Sequence, residues 1–400
     1  MTATGADLTG LTREEAIARA KEIAAGLVAR RDETERLRHL PDESMKELVA
    51  SGLMRVNQSA RWGGPELGTE TAVEVIAEVA KGDTSAGWVC GLIASHFWLI
   101  CLFSPEVQEE IWGSDPATMM SSSFAPSDSV CERVEGGYRI RGRWPWSSGS
   151  NHCTWAMVGI MIPPGGPDEM PHMRWGLLPR PDYRVDDDWR TVGMRGTGSN
   201  TLIVDDAFVP EYRCIDPWQV SAGNTPGTAI NPSPLYKLPF GPALAYYLAA
   251  PALGSAERTL ADWIAYMQGK RQVFTGAEVG KQMPTLIRAG HLSAKLEAAR
   301  LLMTTTPRAI DAAIEQGPLD IELRVRSGRN ATYAVRLCVD VVEECMQFGG
   351  GTALFENHPV QRGWRDTHGV AAHIGFNPDT AYGTYGHVLM GLPVPPSPML

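Results

Sequence analysis

The sequence predicts a mainly α, α+β protein in which a helical N-terminal domain, a central β domain and a C-terminal helical bundle follow one another. Apolar residues recur with helical spacing in the first third of the chain, and short alternating runs with frequent Gly, Pro and Ser replace them from 116 to 215. Long helical patterns return at about 243. A chain of 400 residues suits two or three domains. The predicted domains are 1–115, 116–220 and 221–400.

The N-terminal helices are predicted from their ends. Thr12, with Glu15 three residues later, forms a capping box ahead of AIARAKEIAAGLVAR. Further helices are expected at about 42–51, 69–81, 84–102 and from Ser104-Pro105 through Trp112, with a loop at 61–68. The most apolar run, 88–103, is shorter than a membrane span and carries His96 in its middle, so we expect a buried helix there.

Short strands and turns fill the central segment. GGY at 136–138 predicts a hairpin tip, and YRIRGRW (138–144) alternates like an edge strand. The stretch PWSSGS (145–150) follows, and a packed turn explains it if Pro145 fixes φ and Gly149 adopts a φ that larger residues disfavour. The alternative is a wall of indoles and hydroxyls for a flat cofactor with polar edges.

The C-terminal part combines a Pro/Gly/Asn/Ser-rich link, 221–242, with long helical segments. These segments cover 243–269, 279–316 and 319–348, with breaks at Gly317-Pro318 and at the three glycines 349–351. Long helices with short connections are typical of an antiparallel bundle.

Composition limits the function classes. The net charge of −10 argues against a general nucleic-acid role. Seven scattered cysteines without a CxxC pair indicate reduced thiols, and the first 16 residues lack the basic and apolar segments of a signal peptide. We therefore expect a cytoplasmic protein without a membrane or nucleic-acid partner.

Two histidine-bearing segments and one serine run are candidates for chemistry. His96 on its apolar helix is either a satisfied core residue or a functional one. The serines of SSSFAP (121–126) either solvate their own loop or point a hydroxyl into a cleft between domains. RDTHGVAAH (365–373) carries His368 and His373, whose spacing differs from the i, i+4 pair of helical zinc sites. We expect no metal, and one of the two histidines as an acid or base.

Several common motifs are absent from the sequence. It has no GxSxG, no Walker phosphate loop and no GxGxxG after a strand. A standard serine hydrolase, a P-loop enzyme and a Rossmann dehydrogenase are therefore disfavoured.

Five stretches occurring in order carry a resemblance to a known family, over nearly the whole chain from residue 40. They are SSSFAP (121–126), GRWPWSSGSNHCTW (142–155), VGMRGTGSNTLIVDDAFVP (192–210), PLYKLPFG (234–241) and QRGWRDTHGVAAH (361–373). The chain is similar to the acyl-CoA dehydrogenase superfamily. It more closely resembles the oxygenase components of two-component flavin-dependent aromatic monooxygenases, of the 3-hydroxy-9,10-secosteroid hydroxylase and 4-hydroxyphenylacetate 3-hydroxylase type.

The resemblance implies a C-terminal four-helix bundle, a homotetramer and specific site residues. The implied catalytic residues are His96, Ser122, Ser147 and His373, and the implied cofactor-binding residues are Trp146, Ser147, Ser148, Arg271 and Phe274. By resemblance, Ser147 lies near nitrogen-5 of the flavin, and His96 and Ser122 contact the substrate hydroxyl. His373 lies over the flavin, with His368 as the alternative. Arg271 reaches a flavin phosphate across a subunit interface.

The implied activity is the ortho-hydroxylation of a phenol by reduced FMN or FAD and O2, through a flavin carbon-4a hydroperoxide. A separate NAD(P)H:flavin reductase would supply the reduced flavin. The choice between FMN and FAD, and between a steroid-derived, simple phenolic or natural-product substrate, stays open. One alternative is an acyl-CoA dehydrogenase, although THGVAAHIGF (367–376) lacks the base glutamate found there in that family. The other is a non-catalytic family member.

Overall fold

The N-terminal part is helical, as predicted. The computed structural model describes residues 5–126, 128–166 and 169–400. Its first helices are α1 (Arg13–Leu37), α2 (Asp42–Ser51), α3 (Thr69–Gly82), α4 (Thr84–Ile100) and α5 (Pro105–Trp112). The capping box of α1 is present, since Glu15 N donates to Thr12 Oγ1 (3.3 Å) and Thr12 N donates to Glu15 Oε2 (3.0 Å). In the described chain, no helix is long and apolar enough to cross a membrane.

The central part is built from strands. They are β1 (Met120–Ser123), β2 (Asp128–Val134), β3 (Gly137–Ser147), β4 (Trp155–Ile162), β5 (His172–Pro179), β6 (Arg184–Asp186), β7 (Asn200–Pro210) and β8 (Cys214–Ile215). Two four-stranded sheets result, with the orders β1-β4-β5-β8 and β2-β3-β7-β6. β2 and β3 form the predicted hairpin, with Val134 opposite Gly137.

The prediction of an edge strand at 138–144 is wrong. β3 is an inner strand, because it pairs with β2 on one side and with β7 on the other. Its alternation reflects a sheet with one buried and one exposed face, a pattern that inner antiparallel strands share with edge strands. Pro145 is tolerated because the register with β7 is irregular between Trp144 and Ser147, so its missing N–H removes no ladder bond there.

The C-terminal part consists of a short helix and a bundle. The helices are α6 (Pro217–Ser221), α7 (Phe240–Gly269), α8 (Met283–Gln316), α9 (Ile321–Gly349), α10 (Pro359–Ala371) and α11 (Pro378–Leu389). The three long helices match the predicted segments to within a few residues. The last two, α10 and α11, are additional elements that the sequence patterns had not delimited. Helix α7 is central, because it packs on α8, α9 and α10 and also on α3 and α4.

The site is positioned by one continuous apolar core and one smaller core. The larger core runs from the N-terminal helices into the bundle, and a Cβ on Gly91 of α4 would lie 2.7 Å from Tyr247 O of α7. The smaller core lies inside the β part, around Trp144 and Ile160. Helix α4 also contacts β1, so one helix connects the bundle, the N-terminal helices and the β sheet.

Candidate active site

One face of α4 carries the first group of site residues. Trp88, Leu92 and His96 are spaced by four residues and therefore share a helix face over about 12 Å. Trp88 is 8% exposed and His96 is 2% exposed. This face thus offers two buried polar side chains, one at each end of a largely apolar strip.

His96 and Ser122 are in direct contact, as the resemblance implies for residues of one site. The His96 Nδ1 atom lies 2.6 Å from the carbonyl oxygen of Met120, and Nε2 lies 2.8 Å from Ser122 Oγ. A carbonyl only accepts, so Nδ1 carries the proton and Nε2 accepts from the Ser122 hydroxyl. Burial lowers the pKa of His96 to about 4. The imidazole is therefore neutral at pH 7 and presents a basic nitrogen to Ser122.

Strand β1 places its three serines on two faces. Ser122 points toward His96, whereas Ser123 donates from its hydroxyl to the carbonyl oxygen of Pro145 (2.6 Å). This bond connects β1 to the turn at the end of β3. The serine run is therefore part of a strand with two separate tasks, and not a loop that solvates itself.

The turn at the end of β3 combines strained backbone with an unpaired hydroxyl. Trp146 has a φ of +67° and its side chain is 62% exposed. Ser147 is fully buried, and its Oγ has no hydrogen-bond partner among the described residues. Gly149 has a φ of +71°, as predicted for a position that larger residues disfavour, and a Cβ there would approach Val89 Cγ1 to 3.2 Å. The turn thus packs tightly on α4.

The two tryptophans of this segment have different environments. Trp144 is completely buried and donates from Nε1 to the carbonyl oxygen of Gly159 (2.8 Å), so it belongs to the β core. Only Trp146 presents its indole outward. Ser148 accepts a hydrogen bond from Trp88 Nε1 (3.0 Å), which occupies the hydroxyl within the protein. Its assignment to the cofactor stays a prediction, although the hydroxyl has a structural partner.

His373 lies beside Trp88, just after the end of α10. The two ring centroids are 5.6 Å apart with an interplanar angle of 62°. His373 Nδ1 accepts from the backbone N–H of Gly375 (3.1 Å), so the neutral ring carries its proton on Nε2. Burial lowers the pKa of His373 to about 4. The side chain is therefore a neutral donor at pH 7.

His368 has different surroundings. Its Nδ1 donates to the carbonyl oxygen of Trp364 (2.7 Å), and its Nε2 lies 3.6 Å from a carboxylate oxygen of Glu343 on α9. The contacts of His373 with Trp88 favour His373 as the histidine of this site.

Arg271 and Phe274 lie on the hairpin that joins α7 and α8. Phe274 is 98% exposed and Val273 is 92% exposed. Arg271 donates to the carbonyl oxygen of Gly276 (3.2 Å) and faces a carboxylate oxygen of Glu278 at 3.6 Å. Within the described ranges, no hydrogen bond or ion pair joins these two residues to Ser147, and their predicted role in cofactor binding stays a prediction.

A loop between β6 and β7 approaches the site from the side of α10. Asp366 Oδ1 accepts from the backbone N–H of Met194 (2.7 Å), which has a φ of +55°. A Cβ on Gly193 would lie 2.2 Å from the carbonyl oxygen of Arg365, so only glycine permits this contact. Burial, together with the nearby carboxylates of Asp83 and Glu35, raises the pKa of Asp366 to about 7.

Trp88, Thr197 and Ser199 lie at the site but are not among the residues predicted from the sequence. Trp88 was detectable, because it lies two helical turns before His96 on the same helix. Thr197 and Ser199 lie within GTGSN, where small hydroxyl residues are equally typical of an ordinary turn. The hydroxyl of Thr197 bonds to nearby Met194 O and Ser199, but the bond from Ser199 to Ser148 spans 51 residues, and no local spacing indicates it.

The residues at this site fit the polar edge of a flavin ring. Ser147 Oγ is one of several buried hydroxyls without a partner among the described residues, and such a group is available for a hydrogen bond with a ligand atom. The exposed indole of Trp146 precedes Ser147 in the chain. Trp88 connects this turn to His373, because Trp88 Nε1 donates to Ser148 and its ring contacts the His373 ring. A hydroxyl, a flat indole and a ring N–H are suitable partners for a planar heterocycle.

Fold and site define the class of protein. The acyl-CoA dehydrogenase N-terminal domain matches residues 12–119, and the acyl-CoA dehydrogenase C-terminal domain matches residues 246–378. The chain belongs to the acyl-CoA dehydrogenase family, which confirms the fold predicted from the resemblance.

The relatives define the branch of this family. The flavin-dependent monooxygenase oxygenase subunit HsaA of Rhodococcus jostii (strain RHA1) is 36% identical over 91% of this chain and 95% of the relative. The p-hydroxyphenylacetate 3-hydroxylase oxygenase component of Acinetobacter baumannii is 31% identical over 98% of this chain and 92% of the relative. The chain is thus a member of the oxygenase components of two-component flavin-dependent monooxygenases.

Solved structures of flavin-dependent oxygenases have the same fold as this chain. The 3-HSA hydroxylase from Rhodococcus sp. RHA1 superposes with a TM-score of 0.90 at 34% identity, covering 96% of this chain and 99% of that one. XiaF from Streptomyces sp., solved in complex with FADH2 and glycerol, gives a TM-score of 0.88 at 26% identity, covering 97% of this chain and 98% of that one.

Proposed function

We propose that this chain hydroxylates a phenolic ring at the position ortho to its hydroxyl group, using reduced flavin and O2. The observation that carries the proposal is the contact between buried His96 and partly buried Ser122. His96 lies on the face of α4 that also bears Trp88, beside the Ser147 turn, and Ser122 lies on β1. A neutral acceptor nitrogen at the end of a dry, apolar strip suits a substrate that must release a phenolic proton.

His96 and Ser122 act on the substrate hydroxyl in this proposal. Ser122 already donates to His96 Nε2, so its oxygen is free to accept the phenolic O–H. The proton then moves from the phenol to Ser122 Oγ while the Ser122 proton moves to His96 Nε2. Electron density on the ring rises at the ortho carbon as the proton leaves. The bond from Nδ1 to the Met120 carbonyl holds the imidazole in the required tautomer.

Ser147, Trp146 and His373 act on the flavin side. Ser147 Oγ would hold a ring nitrogen of the flavin, and Trp146 would cover the ring edge. His373 would donate from Nε2 and keep a proton available near the flavin. When bound, the reduced flavin supplies the two electrons and the oxygen-activating chemistry that the side chains of this site lack.

Water exclusion is the task of the apolar strip on α4. Ile93 is completely buried, Trp88 and His96 are nearly so, and the Gly149 turn packs on Val89. An activated oxygen species that meets water is lost as peroxide, so a dry wall protects the transfer to substrate.

The proposal includes a separate NAD(P)H:flavin reductase as the source of reduced flavin. The names of two relatives contain the words "oxygenase subunit" or "oxygenase component". These names support a system in which flavin reduction and oxygenation are carried out by separate proteins. Either FMN or FAD is compatible with the side chains described above.

We further propose that the chain forms a homotetramer and that Arg271 and Phe274 serve a neighbouring subunit's flavin. Exposed apolar side chains support an interface at this end of the bundle, because monomers rarely expose so many together. They are Val273, Phe274, Met283, Leu286 and Ile287. A flavin phosphate would exchange places with the Glu278 carboxylate as the partner of Arg271.

A direct test mixes the full chain with anaerobically reduced FMN or FAD, a panel of phenols, and oxygenated buffer. We expect a catechol-type product from at least one phenol, with hydrogen peroxide falling as product rises. In a parallel arm, acyl-CoA thioesters and an artificial electron acceptor are supplied to the flavin-loaded chain. Acceptor reduction by thioesters, without product from any phenol, would overturn the proposal in favour of a dehydrogenase.

A further inference from the structure

A chain of three hydroxyl groups connects Trp88 to the loop held by α10. Trp88 Nε1 lies 3.0 Å from Ser148 Oγ, which lies 2.7 Å from Ser199 Oγ. Ser199 Oγ lies 2.6 Å from Thr197 Oγ1, which lies 2.9 Å from the carbonyl oxygen of Met194. Ser148, Ser199 and Thr197 are all at most 5% exposed, so these bonds are shielded from water.

The chain has a single direction in which all four bonds form. An indole N–H only donates, and a carbonyl only accepts. Thr197 must therefore donate to Met194, Ser199 to Thr197, and Ser148 to Ser199, while Ser148 accepts from Trp88. Each hydroxyl donates once and accepts once within the chain. Removing one member leaves a buried neighbour without its partner, and the direction of the rest is no longer fixed.

Both ends of this chain lie at the site. At one end, the ring of Trp88 contacts His373, and Ser148 directly follows the unpaired Ser147. At the other end, the backbone N–H of Met194 donates to Asp366 on α10, the helix that leads to His373. The chain therefore connects the turn that carries Ser147 with the element that carries His373.

We propose that Thr197 and Ser199 are positioning residues, which fix Trp88 and the Ser147–Ser148 turn relative to His373 through this hydroxyl chain. The inference rests on the proposed flavin site, because its effect on chemistry is the alignment of flavin-contacting groups. Neither residue needs to touch substrate or flavin. When the chain is broken, the indole of Trp88 loses its fixed orientation, and oxidation of the flavin becomes less well coupled to hydroxylation.

The test compares two Thr→Val changes in the same segment. Thr197→Val keeps the shape of the side chain and removes the hydroxyl from the chain. Thr201→Val is the matched control, because Thr201 is also buried (5% exposed) but its hydroxyl donates to Asp188. Thr197→Ser keeps the hydroxyl and should rescue the loss. Ser199→Ala breaks the chain at a second point, which covers the case in which Thr197→Val fails to fold.

The first measurement needs no flavin. The indole N–H resonance of Trp88, assigned by its absence from Trp88→Phe, is followed by NMR in the flavin-free chain. We expect it to move in Thr197→Val and Ser199→Ala, to return in Thr197→Ser and to stay in place in Thr201→Val. The second measurement is the amount of product formed per reduced flavin oxidised. We expect it to fall about tenfold, corresponding to ~1.4 kcal/mol, in Thr197→Val and Ser199→Ala only, where the row of hydroxyl groups is interrupted.

Each outcome has a defined meaning. The inference would be overturned if Thr197→Val and Ser199→Ala had the same Trp88 resonance as Thr201→Val and formed the same amount of product per reduced flavin oxidised. A shifted Trp88 resonance with an unchanged yield of product per reduced flavin would also overturn the positioning role, since the row of hydroxyl groups would then be structural only. If the unaltered chain hydroxylates no phenol, the proposed function fails and the positioning role fails with it, whereas the resonance still reports whether the hydroxyl chain orients Trp88.

Discussion

Replacing His96 with asparagine removes the basic nitrogen that the proposed chemistry needs and keeps the rest of its setting. The Asn amide N–H₂ can still donate to the Met120 carbonyl, as His96 Nδ1 does at 2.6 Å. The acceptor at the Nε2 position, 2.8 Å from Ser122 Oγ, is lost. The phenolic proton then has no base at the end of its path through Ser122.

The size of the effect follows from the state of His96. Its pKa of about 4 means that at pH 7 only about one molecule in a thousand is protonated, so the acceptor is available in nearly all molecules. A positioned base contributes about 10²- to 10⁴-fold to a proton transfer. We expect His96→Asn to lower the rate of hydroxylation roughly 10²- to 10³-fold.

The assay is single-turnover oxidation of reduced flavin by O2 in the presence of a phenol that the unaltered chain hydroxylates. His96→Asn should still oxidise the flavin, and hydrogen peroxide should replace the hydroxylated product. Ser95→Ala is the matched control, because Ser95 is the neighbouring buried residue and its hydroxyl donates only to Leu92 O in its own helix. Hydroxylation by His96→Asn at the parent rate would refute the assignment.

Three further substitutions test the unpaired hydroxyl of Ser147, the buried carboxyl of Asp366 and the positive φ of Gly149. Ser147→Ala should stabilise the flavin-free protein by about 1 kcal/mol in urea unfolding, because the Ser147 hydroxyl is buried without a partner among the described residues. The same change should weaken reduced-flavin binding about fivefold. A loss of stability together with a loss of flavin affinity would contradict the role of Ser147. Asp366→Asn keeps an acceptor for Met194 and removes a carboxyl whose pKa burial raises from 3.8 to about 7. Protonated Asp366 contributes its full stability below pH 4, and this contribution is lost as the pH rises through 7. In urea unfolding, the free energy of unfolding of Asp366→Asn should therefore exceed that of the parent by an amount that grows to about 4 kcal/mol by pH 7 and then levels off. A difference that does not change with pH would contradict this. Gly149→Ala should lower the melting temperature by an amount equivalent to about 1–2 kcal/mol, because it strains a φ of +71° and crowds Val89; an unchanged melting temperature would contradict this.

Much of the fold could be predicted from sequence because its signals are local. The capping box at Thr12, the helix bounds at 42–51 and the glycine and proline breaks around the long helices depend on neighbouring residues alone. The edge or inner position of β3 could not be predicted, because alternation reports which face is buried and gives no information about the number of paired strands. Helix α10 buries polar residues (Gln361, Asp366 and Thr367) along with apolar ones, and α11 buries only Tyr385 among its described residues, so apolar spacing alone does not delimit these two short helices.

The site was predicted through resemblance more than through spacing. His96 and Ser122 are 26 residues apart, and only the packing of α4 on β1 brings them together. The hydroxyls of Thr197 and Ser199 are connected to the site through the hydrogen bond from Ser148 to Ser199, about 50 residues apart, which no periodicity predicts. Buried polar groups find partners through tertiary structure, so their roles require the fold.

In the proposed reaction, this chain transfers one oxygen atom from O2 to a phenol at the expense of reduced flavin. The most direct measurement supplies the chain with reduced flavin, a phenol that it hydroxylates and ¹⁸O-labelled O2 in ordinary water, and analyses the product by mass spectrometry. We expect one ¹⁸O atom in each molecule of product and at most one product per reduced flavin oxidised. Product oxygen derived from water would contradict the proposed reaction, and so would flavin oxidation at the protein-free rate with no product from any phenol.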